Sequence, residues 1–398
     1  LKFKEAAVHT QNKFVLYFVL PVLVILSYSS NVYLLPSLPK VAHLLHASEA
    51  QQKLAFPLLL LGSSFNCFFV GALADFFGAK KVMVVQMVLV MIGTCICLNA
   101  YRMDVFLLGC FVQGLGIFSV ALIKYIELYE PERAPRFFAV YFFLGCACIP
   151  VVMILSGYLC HYHQWASVFW FWFLAILLAL LMFYFLPRLS ANTACDFKFK
   201  DYFCDIASYW RQGEFYAALV SCMSIGGAVA VFYTLSPHII IHDFHHTSRD
   251  FGFLMILPII GRLVGNGLYF FLSNRISIYG VIAIGKWVSC LAMLLYVVAF
   301  HFFPTPVVLM AFVGGVMLAY PLIRTSSFLR VMSINPLLAG SALSFLALGV
   351  KTVKGVSGLF AARQDGEMMG LLMLVIVVVG ALIHTVIHRF NIRCQKNP

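Results

Sequence analysis

The amino-acid sequence predicts an all-α membrane protein: twelve transmembrane helices in two six-helix bundles, with both termini cytoplasmic. Three observations carry this expectation. Of 398 residues, 63% are hydrophobic and only 11% are charged, whereas a soluble domain is about a quarter charged. Apolar runs of about 20 residues, enough for a helix to cross roughly 30 Å of hydrocarbon, recur along the whole chain. Lysine and arginine fall unevenly between alternate loops.

In order, the runs cover approximately 14–36, 54–74, 82–99, 105–125, 137–160, 166–187, 214–236, 250–272, 278–302, 306–326, 338–360 and 368–388. The first lacks a small-residue cleavage site and is followed by further spans, so it reads as an uncleaved helix. The longest polar stretch follows the sixth span and divides the chain into an N-terminal bundle (1–187), a central cytoplasmic linker (188–213) and a C-terminal bundle (214–398). Within the linker, 196–212 mixes aromatic and charged residues and reads as a segment lying along the inner membrane surface. Two bundles flanking a cleft suit alternating access.

Seventeen Lys and Arg residues lie in the terminal segments and even-to-odd loops, against five (Lys40, Lys53, Arg102, Arg249 and Arg363) in the opposite loops. The positive-inside rule therefore predicts cytoplasmic termini. The formal charge of +12 and the pI of 9.2 then reflect topology, and no nucleic-acid partner is expected. The twelve cysteines contain no CxxC pair and read as packing residues. There is no phosphate-binding GK[ST] loop, no HExxH and no nucleophile elbow, so no enzyme and no cofactor is expected.

The most informative local feature is GALADFFGAKK at 71–81, a polar turn between two apolar runs. Gly71 and Gly78 allow two helices to approach and turn, Asp75 sets an anion at a helix junction, and Lys80 with Lys81 hold the turn in the cytoplasm. This segment resembles the signature loop between helices 2 and 3 of the major facilitator superfamily: Gly71, Leu73, Ala74, Asp75, Gly78, Lys80 and Lys81 match, while Phe76 and Ala79 replace basic residues. Further segments resemble the bicyclomycin and chloramphenicol resistance branch, among them LLPSLPKVAHLL (34–45), GCFVQGLG (109–116), YTLSPHII (233–240), FGFLMILPIIGRLVGNGL (251–268) and LLAGSALSFL (337–346). The resemblance implies a multi-pass secondary carrier of the bacterial inner membrane with a small-molecule substrate, and 71–81 as its conformational-switch loop. It also marks departures. Where that branch has a helix 1 carboxylate this chain has Val32 beside Asn31, and where it has a helix 4 arginine this chain has Cys110. Helix 5 keeps Pro150, Gly157 and Trp165 without the doubled proline and glycine pair of the antiporter motif.

Charge inside the spans is an independent signal. All fifteen acidic residues lie in loops or at span ends, whereas Lys124, Arg262, Lys286, Lys351 and Lys354 fall within or near apolar spans. A Lys or Arg at mid-bilayer costs about 2.5–3.5 kcal/mol on insertion scales, so such residues face water, a partner or a ligand. Arg262 lies mid-span, and Lys351 and Lys354, three apart, share a helix face; these three are the leading candidates for binding an anionic substrate. Lys286 reads as a residue snorkelling to the inner surface, and Lys124 as a partner of Glu127.

Helix 1 presents Ser27, Tyr28, Ser29, Ser30, Asn31 and Tyr33 in succession, and Gln113 sits halfway along helix 4. Tyr28, Asn31 and Gln113 are added as candidates for orienting a polar ligand, although bonding between helices explains such groups equally well. Tyr320 and Thr325 are similarly ambiguous. Nine of the twelve histidines map to outer ends or loops. The run HIIIHDFHH sets His238 and His242 one turn apart, a spacing that suits a divalent metal or a pH sensor, but no firm ligand quartet emerges and no metal is assigned. The sequence thus predicts a monomeric secondary carrier of a small organic anion, such as a polycarboxylate or siderophore, with protons a candidate coupling partner. A proton-coupled multidrug efflux antiporter is one alternative; a non-transporting receptor or metal sensor is another.

Overall fold

The computed structural model describes residues 18–122, 125, 134–183, 212–334, 339–364 and 368–396, and among them the regular elements are all helical. They are α1 (Leu20–Ser29), α2 (Leu38–Leu44), α3 (Glu49–Phe77), α4 (Ala79–Leu98), α5 (Met103–Leu115), α6 (Ala134–Tyr162), α7 (Trp165–Met182), α8 (Gly213–His238), α9 (Ser248–Leu254), α10 (Ile256–Ser273), α11 (Ile278–Phe302), α12 (Pro306–Ile334), α13 (Ala339–Ala361) and α14 (Met369–Lys396). Among the described residues, 10 stretches are long and apolar enough to cross a membrane. The short apolar α1, and α13 with its two lysines, complete the expected series.

Four boundaries differ from expectation, each for a local reason. The first span is broken. Ser30 Oγ donates to the Leu26 carbonyl at 2.8 Å and Asn31 Nδ2 to the Ser27 and Tyr28 carbonyls at 3.2 and 3.3 Å, and such back-bonding competes with the helix ladder. The chain then passes through a 3-10 turn (Leu35–Ser37) containing Pro36 and resumes as α2. The expected turn at 71–81 shrinks to one residue: α3 continues helical through Gly71 to Phe77, and Gly78 alone reverses the chain, with φ 89°, a conformation that glycine adopts without penalty.

The span expected at 250–272 is two helices, α9 and α10. Pro258 has no N–H to offer the Leu254 carbonyl, so the ladder breaks there. Finally, α12 extends to Ile334, eight residues past its expected end at 326. The expected surface segment 196–211, Lys124, Glu127 and the side chain of Asp75 lie outside the described residues.

Within each half, helices meet at small residues, as membrane helices do when van der Waals packing rather than hydrophobicity drives association. A Cβ on Gly62 of α3 would come 3.1 Å from the Gly114 Cα of α5, and one on Gly261 of α10 would come 2.8 Å from the Gly314 carbonyl carbon of α12. In the N-terminal half, Tyr33 stacks on Trp172 with ring centroids 4.6 Å apart and meets Phe169 edge-on at 5.6 Å. The halves meet where α3 lies along α13 and where α6 lies against α9. Lys53 Nζ donates to the Gln364 carbonyl at 3.2 Å, Arg249 donates to the Tyr162 hydroxyl at 3.0 Å, and Ser64 and Thr352 share a hydroxyl bond of 2.5 Å. These contacts run from the end of the molecule that bears Glu49 down to Ser64, midway along α3.

Candidate functional site

Tyr320 on α12 is buried, with only 4% of its surface exposed, and three cations converge on it. The Arg262 guanidinium of α10 lies over its ring, 4.7 Å from the centroid; that of Arg324, one turn further along α12, lies at 5.7 Å; and the Lys354 ammonium of α13 lies at 5.3 Å. Lys354 Nζ also donates to the Tyr320 hydroxyl at 3.3 Å. A cation over an aromatic face gains about 2 kcal/mol when desolvated. One ring therefore gathers three cationic side chains from three helices.

Further groups border the cluster. Tyr28 of α1, Tyr233 of α8 and Cys146 of α6 are within electrostatic reach of Arg262, so both halves of the chain contribute. The Tyr28 ring rests on α6, where a Cβ on Gly145 would come 2.6 Å from Cδ2. The Lys354 stem packs on α8, where a Cβ on Gly226 would come 3.1 Å from its Cε. Pro321, adjacent to Tyr320, leaves the Met317 carbonyl without its helical donor and loosens α12 at this level. Among the described residues, no carboxylate lies within ion-pair distance of Arg262, Lys351 or Lys354; the pairs that form, such as Lys53 with Glu49 and Arg330 with Glu214, lie at helix ends.

The candidates named from sequence separate into three groups. Arg262, Lys354 and Tyr28 come together around Tyr320. Lys351, one turn before Lys354, donates to Ser63 of α3 and belongs to the seam between α3 and α13, beside the Ser64–Thr352 bond. Asn31 and Gln113 stand apart: the Asn31 amide donates to its own helix, and the Gln113 amide is consumed in the N-terminal core. There Gln113 Oε1 accepts from the Tyr33 hydroxyl at 3.0 Å and Nε2 donates to Thr94 at 3.3 Å.

Sequence reasoning counts Arg324, near the inner end of the expected 306–326 span, among the seventeen cytoplasmic-side cations rather than among the charges inside the spans, and leaves Tyr320 open. Their spacing of four residues, one helical turn, was the available signal. Lys286, expected to snorkel to the surface, is instead 8% exposed, and its ammonium has no hydrogen-bond partner among the described residues.

At the opposite end of α3, the remaining switch-loop candidates Gly78, Lys80 and Lys81 lie at the hairpin with α4. Gln86 Nε2 donates to Asn66 Oδ1 at 2.7 Å, and Asn66 Nδ2 donates to the Ile117 carbonyl at 2.5 Å, which ties α3, α4 and the chain after α5 together. Away from the cations, Val88, Met91, Phe173 and Leu180 line an apolar surface recess between α4 and α7.

The sequence profile of the Major Facilitator Superfamily matches residues 22–349. The chain belongs to this family. As a major facilitator protein with multiple apolar helices, it is a multi-pass protein of the inner membrane and not an enzyme. The multidrug resistance protein MdtL of Klebsiella pneumoniae (strain 342) is 33% identical over 150 residues, 37% of this chain and 38% of that protein. MdtL of Escherichia coli O81 (strain ED1a) is 34% identical over 143 residues, 35% of this chain and 36% of that protein. The chain thus aligns with little more than a third of the length of these curated relatives. The fold is similar to that of a D-xylose-proton symporter (TM-score 0.77, 12% identity, covering 93% of this chain and 97% of that one) and of the nucleoside transporter NupG (TM-score 0.71, 14% identity, covering 94% and 98%).

Proposed function

We infer that this major facilitator protein is a secondary carrier of a small organic anion, held between Arg262, Arg324 and Lys354 with Tyr28, Tyr233 and Tyr320 around it. The observation that carries this reading is the convergence of three cations on one buried phenol, with no carboxylate paired to Arg262 or Lys354 among the described residues. Cations held at this depth call for water or a counter-charge, and a substrate bearing carboxylates supplies one through charge-assisted hydrogen bonds. Lys351 is a reserve contact for a longer polycarboxylate or siderophore-like molecule, since it shares a face with Lys354. The chain halves on either side of 188–213 act as two six-helix bundles that rock about the site and expose it alternately. Lys80 and Lys81 at the Gly78 hairpin favour a cytoplasmic location for that end, and hence for both termini. The carrier is read as a monomer, with protons as a candidate coupling ion.

The deciding experiment is flux in proteoliposomes. Purified wild-type protein is expected to take up radiolabelled di- or tricarboxylates, and Arg262→Ala is expected to cut uptake at least about tenfold while its expression and thermal midpoint persist; unchanged flux in that variant overturns the reading. A second reading, efflux of hydrophobic drugs, is favoured by the similarity to the MdtL multidrug resistance proteins and by the tyrosines bordering the cluster. It requires that neutral or cationic drugs, rather than anions, raise the thermal midpoint of the purified protein and that expression raise drug resistance.

A further inference from the structure

A second polar cluster lies at the Glu49 end, away from the cations around Tyr320. Glu49 opens α3 in the N-terminal half, while His238 closes α8 in the C-terminal half and His242 follows in the short π-helical turn after it. One potential ligand atom from each of the three lies within 4.8 Å of the others. His238 Nε2 is 3.2 Å from Glu49 Oε2 and 3.7 Å from Asp243 Oδ1, and His242 Nδ1 is 3.2 Å from the same Asp243 oxygen. The two imidazoles stack, with centroids 4.7 Å apart.

From this arrangement we propose that Glu49, His238 and His242, with Asp243 alongside, form a binding site for a borderline divalent transition-metal ion that fastens the two halves of the chain together. Imidazole nitrogens joined with carboxylate oxygens select ions such as Zn2+ over Mg2+ or Ca2+, which take mostly oxygen ligands. On a tetrahedral zinc with bonds of about 2.0–2.2 Å, neighbouring ligand atoms sit roughly 3.4 Å apart, close to the separations present here. His242 is 64% exposed and free to turn its ring onto a shared centre, whereas His238 is 4% exposed and fixed. Independently of the cluster, the other His238 ring nitrogen is buried without a hydrogen-bond partner. Binding at Nε2 puts the ring proton on that nitrogen and leaves the metal-facing lone pair available. Lys53 is the competing cation. It lies 3.7 Å from Glu49 but directs its hydrogen bond to the Gln364 carbonyl.

The consequence rests on the alternating-access reading: an ion held by both α3 and α8 locks the Glu49 end shut and stops the cycle. The test starts with purified, chelator-treated protein titrated with Zn2+ or Ca2+ by calorimetry. One equivalent of Zn2+ is expected to bind, Ca2+ is not, and His242→Ala and Glu49→Gln are each expected to weaken Zn2+ at least tenfold while His246→Ala does not. Zn2+ binding that is absent, or equally tight in both variants, overturns the site. Hydrogen exchange adds the second arm: zinc is expected to slow exchange in peptides around both Glu49 and His242 in the wild type but not in His242→Ala. Exchange unchanged in either segment overturns the bridge. If zinc binds and exchange slows while flux continues, the site stands and the alternating-access reading fails.

Discussion

The two halves of the chain handle polar groups within the bundle in opposite ways. In the N-terminal half the network around Gln113 is neutral and its members answer one another: Gln113 accepts from Tyr33, donates to Thr94, and is 2% exposed. In the C-terminal half the cationic Arg262, Arg324 and Lys354 share one phenol. A satisfied neutral network fastens helices, whereas cations held at this depth face water, a partner or a ligand. Burial alone does not separate a structural polar group from a functional one; the balance of donors, acceptors and charge around it does.

Substitutions on the two sides sharpen this contrast, and the largest effect is expected at Arg262. Arg262→Ala removes a charge-assisted contact worth about 1.5–3 kcal/mol, so anion uptake is expected to fall roughly 10- to 100-fold in proteoliposomes with little change in thermal stability. Gln113→Leu is the mirror experiment. It strands the Tyr33 hydroxyl, which costs about 1–3 kcal/mol in stability, so the thermal midpoint is expected to drop while uptake per folded molecule stays within about twofold; the reverse pattern breaks the comparison.

A smaller loss is expected from Tyr320→Phe, which keeps the ring under the cations but deletes the oxygen that accepts from Lys354. One hydrogen bond of about 1 kcal/mol corresponds to roughly a fivefold rise in KM, measured from concentration-dependent uptake. The smallest shift is expected at Gly226→Ala, whose new methyl would meet Lys354 Cε at 3.1 Å. The flexible lysine stem gives way, so KM is expected to rise about twofold with the maximal rate unchanged, an off-rotamer side chain costing about 0.5–1.5 kcal/mol.

Much of the fold was readable in the sequence because a bilayer imposes length and apolarity on every crossing segment. The errors were local. A hydropathy reading ends a span where the run of apolar residues thins, but a helix continues as long as its ladder does; α12 therefore ran past its expected end at 326. Conversely, the first span was expected to be continuous, and Ser30 and Asn31 interrupted it through side-chain bonds that hydropathy does not register. Within the site, Arg262 and Lys354 announced themselves as charges in apolar surroundings. Tyr320, an ordinary aromatic residue in an apolar stretch, carried no such mark.

What the sequence determined by itself was the class of molecule, its family and the sign of its internal charge, since each follows from composition, spacing or motif along one dimension. Only the tertiary structure decided which charges meet. Arg262, Arg324 and Lys354 lie on α10, α12 and α13, and helix packing turns the three onto one ring while turning Gln113 into a closed core. Side-chain direction around a helix axis depends on which neighbours it packs against, and those neighbours lie far away in sequence.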